Sequence, residues 1–495
     1  MAIYVLSKIA GYANELAELA RAFFPGTIVK IAAEDSNEFT DKSLVIKCHY
    51  KRTKGHVEIR IEYEGAPKGG GSLSQEHEID VNLSSIEEKR LVKNYMKLML
   101  YQLLEELTGR SLEWGALTGI RPTKIVHGLM DKGLDKDMII KTLYDDYRVS
   151  GKKATLLLDI AQVQRPYFKD NHPKKISVYV NIPICTTKCL FCSFPSATID
   201  RCAHLIDDYI LALDKEMKVL SRLAREQEME VEAVYIGGGT PTSLNVNQLE
   251  KVLKAVDKYW GYQEWREYTV EGGRPDTMDK YILRLLKDYN VSRISINPQS
   301  MNDRTLRLIG RNHRSDQIAN CFHMAREVGF DSINMDAIVG LPGEGVDEAL
   351  HTMEEIKKLY PDNLTVHTLA IKRASRLKES IDDFETTEVK EAEEMMKIFY
   401  DGAASMGMRP YYLYRQKYML GNMENLGFSF PSKESIYNMQ IMEDQQTIWA
   451  FGAAAITKVC YPVGGRIERA PNVKDIEQYI DRIDEMIERK TRLIK

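Results

Sequence analysis

The chain has 495 residues, of which 44% are hydrophobic and 28% are charged, and its formal net charge is −4. This composition is typical of a globular protein, the length predicts about three domains, and the small charge gives no indication of a nucleic-acid or anionic-membrane surface. We find no secretory signal and no run of the roughly 18–20 apolar residues that span a bilayer, so we expect a cytoplasmic protein.

The first predicted domain, residues 1–170, is an α+β unit whose role the sequence does not indicate. Two runs that alternate apolar and polar residues, SLVIKCHY and HVEIRIEYEG, are separated by KRTKG and predict a β-hairpin. A later stretch, EEKRLVKNYMKLMLYQLLEELTG, has apolar residues at helical spacing and ends in glycine. The polar, proline-containing segment 165–175 is the predicted boundary.

The second predicted domain, residues 171–384, repeats a strand–helix pattern six times. Apolar runs such as ISVYVNIPI and VEAVYIGGG alternate with amphipathic stretches. The first amphipathic stretch has an apolar stripe formed by Ile206, Ile210, Leu213, Met217 and Leu220. The repeat predicts an α/β barrel, open or closed, whose active site lies at the carboxyl ends of its parallel strands. Residues 385–495 predict a C-terminal helical and irregular cap.

Three of the seven cysteines lie in VYVNIPICTTKCLFCSF, directly after the first predicted barrel strand. Cys185, Cys189 and Cys192 have the spacing C-x-x-x-C-x-x-C, while the other four cysteines are scattered and do not indicate a disulfide framework. Three thiolates on one loop can hold three corners of a [4Fe–4S] cluster and leave the fourth iron open. A zinc site completed by a distant ligand, or coincidence, is the alternative.

This segment resembles the cysteine motif of the radical S-adenosylmethionine superfamily, and its flanks are close to the oxygen-independent coproporphyrinogen III oxidase branch. The resemblance covers residues 175–460, and the full length is similar to the coproporphyrinogen dehydrogenase variant of Gram-positive anaerobes. It implies a partial (β/α)6 barrel, a [4Fe–4S] cluster held by the three cysteines, and S-adenosylmethionine on the open iron. It also implies reduced flavodoxin or ferredoxin as the electron donor, and we expect a monomer.

The resemblance extends to the ends of the other predicted strands, in IGGGTPTSL, TVEGGRPDT, INPQS, LRLIGRNHR, NMDAIVGLPGE and VHTLA. It implies that adenosylmethionine is contacted by Tyr179, Gly238, Gly239, Thr240, Glu271, Gln299, Arg311, Asp336 and Ala370. From the residues alone, glycines at a strand end can admit a ligand or form a tight turn. A lone Asp, Glu or Arg can equally be a solvated surface charge.

The segment YNMQIMEDQQTIWAFGAAAIT resembles the region where coproporphyrinogen oxidases hold a second adenosylmethionine. It implies that Tyr437, Asn438 and Ile456 contact that second molecule. The sequence departs from the family at Asn181, where the leader usually has His, and at Phe194, where the best-characterised oxidases have a further Cys.

The resemblance implies a tetrapyrrole substrate and oxidative decarboxylation of the propionates of coproporphyrinogen III to vinyl groups, giving protoporphyrinogen IX. A haem-binding chaperone on the same scaffold, and another radical reaction such as methylation or opening of a tetrapyrrole, are the alternatives. No catalytic side chain is assigned. Candidate cations for the propionates are Arg373, Arg415 and Lys417, which could equally be surface charges. Tyr411, Tyr412 and Tyr414 could face a tetrapyrrole or belong to the core.

Overall fold

The chain folds into two compact units, Met1–Ala161 and Gln162–Lys495. The computed structural model describes residues 2–7, 10–32, 39, 43–53, 55–65, 69–80, 85–261, 264–372, 375–379, 387–417, 419–461 and 465–494. No helix in these ranges combines the length and the apolar character that a membrane span requires. The domain limits that the sequence predicts, 170/171 and 384/385, stay predictions, and the second falls outside the described residues.

The first unit contains a five-stranded sheet and helices. Its elements are β1 (Ala2–Ser7), α1 (Ala10–Phe23), β2 (Ile28–Ala32), β3 (Ser43–Thr53), β4 (His56–Gly65), β5 (Gly69–Glu78), α2 (Ser85–Thr108), α3 (Thr123–Asp131), α4 (Lys136–Tyr147) and α5 (Gly151–Phe168), which continues into the second unit. The strand order is β2-β1-β3-β4-β5. Strands β3 and β4 pair antiparallel from Leu44–Gly65 to Thr53–His56, so the predicted hairpin is confirmed. Apolar residues of α1, α2 and the sheet form one core.

The second unit is built on one large sheet. Its elements are β6 (Lys175–Ile182), β7 (Ile184–Cys185), β8 (Ala197–Thr198), α6 (Ile199–Cys202), α7 (Ile206–Glu226), β9 (Glu230–Gly238), α8 (Val246–Trp260), β10 (Glu267–Gly273), α9 (Lys280–Asp288), β11 (Arg293–Ile296), α10 (Asp303–Leu308), α11 (Ser315–Val328), β12 (Ile333–Val339), α12 (Val346–Leu359), β13 (Asn363–Thr368), α13 (Arg376–Glu379), α14 (Val389–Ser405), β14 (Arg409–Tyr414), β15 (Asn425–Ser429), α15 (Ile436–Glu443), β16 (Thr447–Phe451), β17 (Ile456–Cys460), β18 (Ile467–Pro471), α16 (Ile476–Asp481) and α17 (Ile483–Ile494).

Six strands of this sheet are parallel neighbours in chain order, β6-β9-β10-β11-β12-β13. They are the six strands that the sequence predicts, each separated from the next by at least one helix. The predicted apolar stripe of α7 is buried along its whole length. Because parallel strands share an orientation, their carboxyl ends meet at one edge, and this edge carries every predicted residue that follows a barrel strand.

The C-terminal segment is helical at its start and end, as predicted, in α14, α16 and α17, but the part between them is not irregular. Strands β15 and β14 extend the sheet antiparallel beyond β13, while β16 pairs parallel with β6 and is followed by β17 and β18. The sheet therefore has eleven strands among the described residues. The prediction fails here because all residues of β15 and β16 are buried, so these strands lack the alternating pattern of a half-exposed strand.

Candidate active site

The three motif cysteines lie on one partly buried loop that leaves β6. Cys185 ends β7, and the loop then turns back so that the Cys192 N–H donates a hydrogen bond to the Cys189 carbonyl at 3.1 Å. The Leu190 N–H donates to the Ile309 carbonyl at 2.9 Å, which ties the middle of the loop to the chain after β11. All three thiols are free cysteines of intermediate exposure. The loop geometry thus brings the motif to the carboxyl edge of the sheet.

The chemistry of these thiols fits a cluster. Burial raises the pKa of Cys185 and Cys192, and the Cys189 thiol raises both further, so the three groups act on one another. Bound metal favours thiolates, which this environment otherwise disfavours. The described residues contain no group of three His, Cys, Asp or Glu side chains arranged around a single metal ion. A cubane cluster takes each thiolate on a different iron, so it does not require the three thiols to surround one ion.

An ion pair between buried Arg274 and exposed Asp276 holds the two threonines of this loop. Arg274 Nη1 donates to Thr187 Oγ1 at 2.7 Å, and its Nε donates to Asp276 Oδ1 at 3.0 Å. Thr186 Oγ1 donates to Asp276 Oδ2 at 3.4 Å. Arg274 is 3% exposed. The pair follows β10, and the sequence analysis did not select it, because its role depends on a loop about ninety residues earlier.

Glu271 lies near the end of β10 at the centre of a second polar group. The Tyr235 hydroxyl donates to Glu271 Oε1 at 2.5 Å, and the Gly238 N–H donates to Oε2 at 3.1 Å. Burial raises the pKa of Glu271 to about 7, and the charge of Asp336 adds to this rise, although both hydrogen bonds oppose it. Glu271 is thus a carboxyl group that a cationic ligand would convert to its ionised form.

Gly237 and Gly238 end β9 and Gly239 follows it, and each lies too close to other parts of the chain to accommodate a Cβ atom without a shift. A Cβ atom on Gly237 would lie 2.7 Å from Glu271 Oε2, and one on Gly238 would lie 2.0 Å from Asn181 Oδ1. A Cβ atom on Gly239 would lie 2.5 Å from a backbone oxygen of β7. Gly238 also has a φ of +112°, which favours glycine. Contact between Gly238 or Gly239 and a cofactor stays a prediction.

Three tyrosines pack together beside Glu271. The Tyr235 and Tyr437 rings have centroids 4.4 Å apart, and Tyr179 lies about 6 Å from each of them, at 6.1 and 6.0 Å. The Tyr179 hydroxyl donates to Asn181 Oδ1 at 2.8 Å. Tyr235 was not selected from the sequence, although it has the same parity on β9 as Gly237 and therefore points to the same face of the sheet.

The buried carboxylate of Glu267 places Tyr437 in this group. It accepts hydrogen bonds from Ser435 Oγ at 3.1 Å, from the Ile436 N–H at 2.7 Å and from the Tyr437 N–H at 3.3 Å. These donors form the start of α15, where backbone N–H groups lack helical partners. A strand residue thus fixes the first turn of a helix that follows it by about 170 residues.

Gln299 and Arg311 have buried polar atoms that suit a polar ligand. The Gln299 N–H donates to the Asp336 carbonyl at 2.8 Å with φ at +66°, while its side-chain Oε1 is buried without a partner in the described part of the chain. Arg311 donates through Nη1 to the Asn297 carbonyl, and its buried Nε has no partner there. Buried groups of this kind are rare unless a ligand or water satisfies them, so both residues fit the predicted cofactor.

The remaining five predicted residues lie at five different places. Thr240 bonds through its N–H to the β7 backbone at 2.7 Å, and Asp336 accepts from Asn334 Nδ2 at 2.7 Å within the Glu271 group. Ala370 follows β13 and forms a bridge with β-like backbone at residue 419. Asn438 lies in the first turn of α15. Ile456 begins β17, two strands from β6, and is 49% exposed.

The residues predicted to contact the propionates and the tetrapyrrole ring differ in their exposure. Arg415 is buried, donates to the Asn422 carbonyl at 3.0 Å, and has its pKa lowered by burial to about 10. Lys417 is exposed, and Arg373 lies outside the described residues. Tyr411 and Tyr412 are buried in the core, whereas the Tyr414 hydroxyl meets His367 Nδ1 at 3.2 Å. The core alternative thus applies to the first two tyrosines.

The chain is similar to several known proteins. A sequence model of the radical SAM superfamily matches residues 179–356. The chain is 36% identical over 484 residues, 97% of its length and 95% of the relative, to the oxygen-independent coproporphyrinogen-III oxidase-like protein HemZ of Bacillus subtilis. It is 28% identical over 312 residues, 62% of the chain and 76% of the relative, to the heme chaperone HemW of the same organism.

A solved structure has a similar fold. The coproporphyrinogen III oxidase HemN of Escherichia coli matches with a TM-score of 0.52 and 23% identity, over 66% of this chain and 73% of that one. The chain therefore belongs to the radical SAM superfamily, in the family of oxygen-independent coproporphyrinogen-III oxidase-like proteins.

Proposed function

We propose that this protein is a radical SAM oxidoreductase that converts coproporphyrinogen III into protoporphyrinogen IX without oxygen. The observation that carries the proposal is the similarity to an oxidase-like relative over 97% of the chain, joined to a three-thiol loop at the carboxyl edge of a six-stranded parallel sheet. We further propose reduced flavodoxin or ferredoxin as the electron donor and a monomeric state.

In this proposal Cys185, Cys189 and Cys192 hold the [4Fe–4S] cluster. When bound, the cluster and adenosylmethionine supply an electron and a radical that abstracts hydrogen from carbon. Glu271 accepts a hydrogen bond from the amino group of adenosylmethionine.

The other residues proposed to contact adenosylmethionine bind different parts of the molecule. Arg311 and Gln299 offer buried donors and acceptors to its carboxylate and its nucleoside, and Asp336 accepts from its ribose. Tyr179, Gly238, Gly239, Thr240 and Ala370 line the same edge. Tyr437, Asn438 and Ile456 contact a second adenosylmethionine, for which the packing of Tyr437 against Tyr235 is the supporting observation.

The proposed reaction of the substrate requires no acid or base from the protein. The β-carbon of a propionate loses a hydrogen atom, the carboxylate leaves as carbon dioxide, and one electron passes to an acceptor, so that a vinyl group remains. The residues of this chain bind and orient the reactants and exclude water. The packing of Tyr179, Tyr235 and Tyr437 against one another, with the Tyr235 hydroxyl bonded to Glu271, supports this role.

The test is product analysis after anaerobic reconstitution. With dithionite, adenosylmethionine and coproporphyrinogen III, we expect 5′-deoxyadenosine and carbon dioxide to rise together with protoporphyrinogen IX. Turnover with haem but not with coproporphyrinogen III would instead indicate methylation or ring opening of a tetrapyrrole.

A cysteine variant separates catalysis from binding. We expect Cys189→Ser to lower 5′-deoxyadenosine formation by at least about 100-fold, because one of three cluster ligands is lost. Cys321→Ser is the matched control, since Cys321 is buried on α11 and is not part of the loop. Haem binding that survives Cys189→Ser, with no product formed by the wild type, would contradict the proposal and support a chaperone.

A further inference from the structure

Arg274 has a donor group that nothing in the described part of the chain satisfies. Its side chain is 3% exposed, and while Nη1 and Nε bond to Thr187 and Asp276, the buried Nη2 has no partner among the described residues. A buried guanidinium with a free N–H group is costly, since an unsatisfied donor loses its hydration without compensation. The free group therefore indicates a ligand.

The position of Arg274 identifies the class of ligand. Thr187, which accepts its Nη1 hydrogen bond, lies two residues from both Cys185 and Cys189. Thr186 is bonded to Asp276, the partner of Arg274. The guanidinium is thus fixed against the backbone segment that joins the first two thiols, where the acceptors of a bound cluster are cysteine and sulfide sulfur atoms.

We propose that Nη2 of Arg274 hydrogen-bonds a sulfur atom of the bound [4Fe–4S] cluster and raises the cluster's reduction potential. Reduction adds one electron, which converts the cluster from the 2+ to the 1+ state, and makes no bond to the chain. The reduced cluster is one unit more negative, so a buried cation stabilises it more than the oxidised form. The inference rests on the cluster that the superfamily implies and is independent of the substrate.

The ion pair predicts opposite effects for its two members. Arg274→Gln removes the positive charge and should lower the potential. Burial tends to raise the pKa of Asp276, but His313 and Arg274 hold this pKa well below its usual range, so Asp276 is ionised. Asp276→Asn removes this negative charge and should raise the potential. Arg274→Lys keeps the charge and should stay close to the wild type.

The experiment is an anaerobic redox titration of the reconstituted full chain with dithionite, followed by electron paramagnetic resonance of the reduced cluster. At the potential where half of the wild-type cluster is reduced, we expect the ratio of reduced to oxidised cluster to fall about 5–10-fold in Arg274→Gln. In Asp276→Asn the same ratio should rise. Arg284→Gln, on the exposed face of α9, is the control.

Iron and sulfide content is measured first, so that only variants with a full cluster are compared. An unchanged potential in Arg274→Gln would overturn the proposal, as would equal shifts in Arg274→Gln and Arg274→Lys, which would indicate loop geometry rather than charge. If Arg274→Gln does not retain a cluster, Asp276→Asn decides alone: a raised potential supports the proposal, and an unchanged or lowered one overturns it.

Discussion

At the scale of single residues, the site depends on a carboxyl group with an altered proton affinity and on a glycine without room for a side chain. Glu271 bonds to Tyr235 and to the N–H of Gly238, while Gly238 itself lies against Asn181. These contacts join the ends of β6, β9 and β10. A substitution at one of these residues is therefore expected to shift the positions of the others.

Glu271 gives the apo protein a specific pH dependence. Its pKa of about 7 in the folded chain lies above the ordinary value of 4.5, so the folded state binds more protons than the unfolded state between these values. The stability that this group contributes is fully present below pH 4.5 and is lost as the pH rises through about 7. We expect the wild type to lose about 1–3 kcal/mol of unfolding free energy relative to Glu271→Gln over this range.

The measurement is urea unfolding of both apo proteins from pH 4.5 to 7.5, compared as a difference at each pH. Subtraction removes the contributions of groups common to both proteins. Parallel curves for the wild type and Glu271→Gln would contradict the raised pKa.

Gly238 permits a matched comparison with a second glycine. A Cβ atom at Gly238 would lie 2.0 Å from Asn181 Oδ1, whereas Gly273, with φ at +68°, has no atom within 4 Å of a Cβ position. Both substitutions to Ala strain the backbone, but only Gly238→Ala also displaces Asn181. We expect Gly238→Ala to cost about 1–3 kcal/mol more than Gly273→Ala in denaturant unfolding. Equal costs would show that the contact with Asn181 is easily relieved.

At the scale of elements, buried charges attach helices to the sheet. The side chains of Lys490 on α17 and Glu216 on α7 are fully buried and joined at 2.6 Å. Glu216 also accepts from the Tyr479 hydroxyl at 2.7 Å and from the Gly452 N–H at 2.9 Å. The chain after Gly452 bonds to Asn181, since Asn181 Nδ2 donates to the next carbonyl at 2.5 Å. The last helix is thereby linked to the end of β6.

Removing Lys490 should destabilise this connection strongly. We expect Lys490→Met to cost about 3–5 kcal/mol, because it leaves the Glu216 carboxylate buried without its cation. Lys215→Met is the control: its exposed pair with Asp484 joins the same two helices, and we expect a cost below about 1 kcal/mol. Both are measured by urea unfolding.

A double variant tests the cause of that loss. Glu216→Gln removes the isolated charge, so Lys490→Met combined with Glu216→Gln should cost less than the sum of the single changes. An additive double variant would argue that the loss comes from packing and not from the unpaired charge.

At the scale of the whole molecule, the two units have separate cores. The core of the first unit includes Leu100 on α2, while all cofactor-site residues belong to the second unit. We expect Leu100→Ala to cost about 2–5 kcal/mol and to reduce hydrogen-exchange protection in residues 2–161. Leu249→Ala, on the buried face of α8, should instead reduce protection in the second unit. Loss of protection in both units from Leu100→Ala would show that they unfold together.

The sequence by itself determined the features that depend on local order. Alternation predicted the β3–β4 hairpin, six strand–helix repeats predicted the parallel strands, and the spacing of Cys185, Cys189 and Cys192 placed the thiols on one loop. In each case the relevant residues are close along the chain, so their spacing fixes their geometry whatever the rest of the fold does.

Only the tertiary structure decided which distant groups meet. It joined Glu271 to Tyr235, placed Arg274 on Thr187, and brought Tyr437 into the site through Glu267. It also added β14–β18 to the sheet, where a cap was predicted. Strand pairing and buried hydrogen bonds depend on contacts between segments far apart in sequence. The identity of a residue does not show which distant residue it will contact in the folded chain.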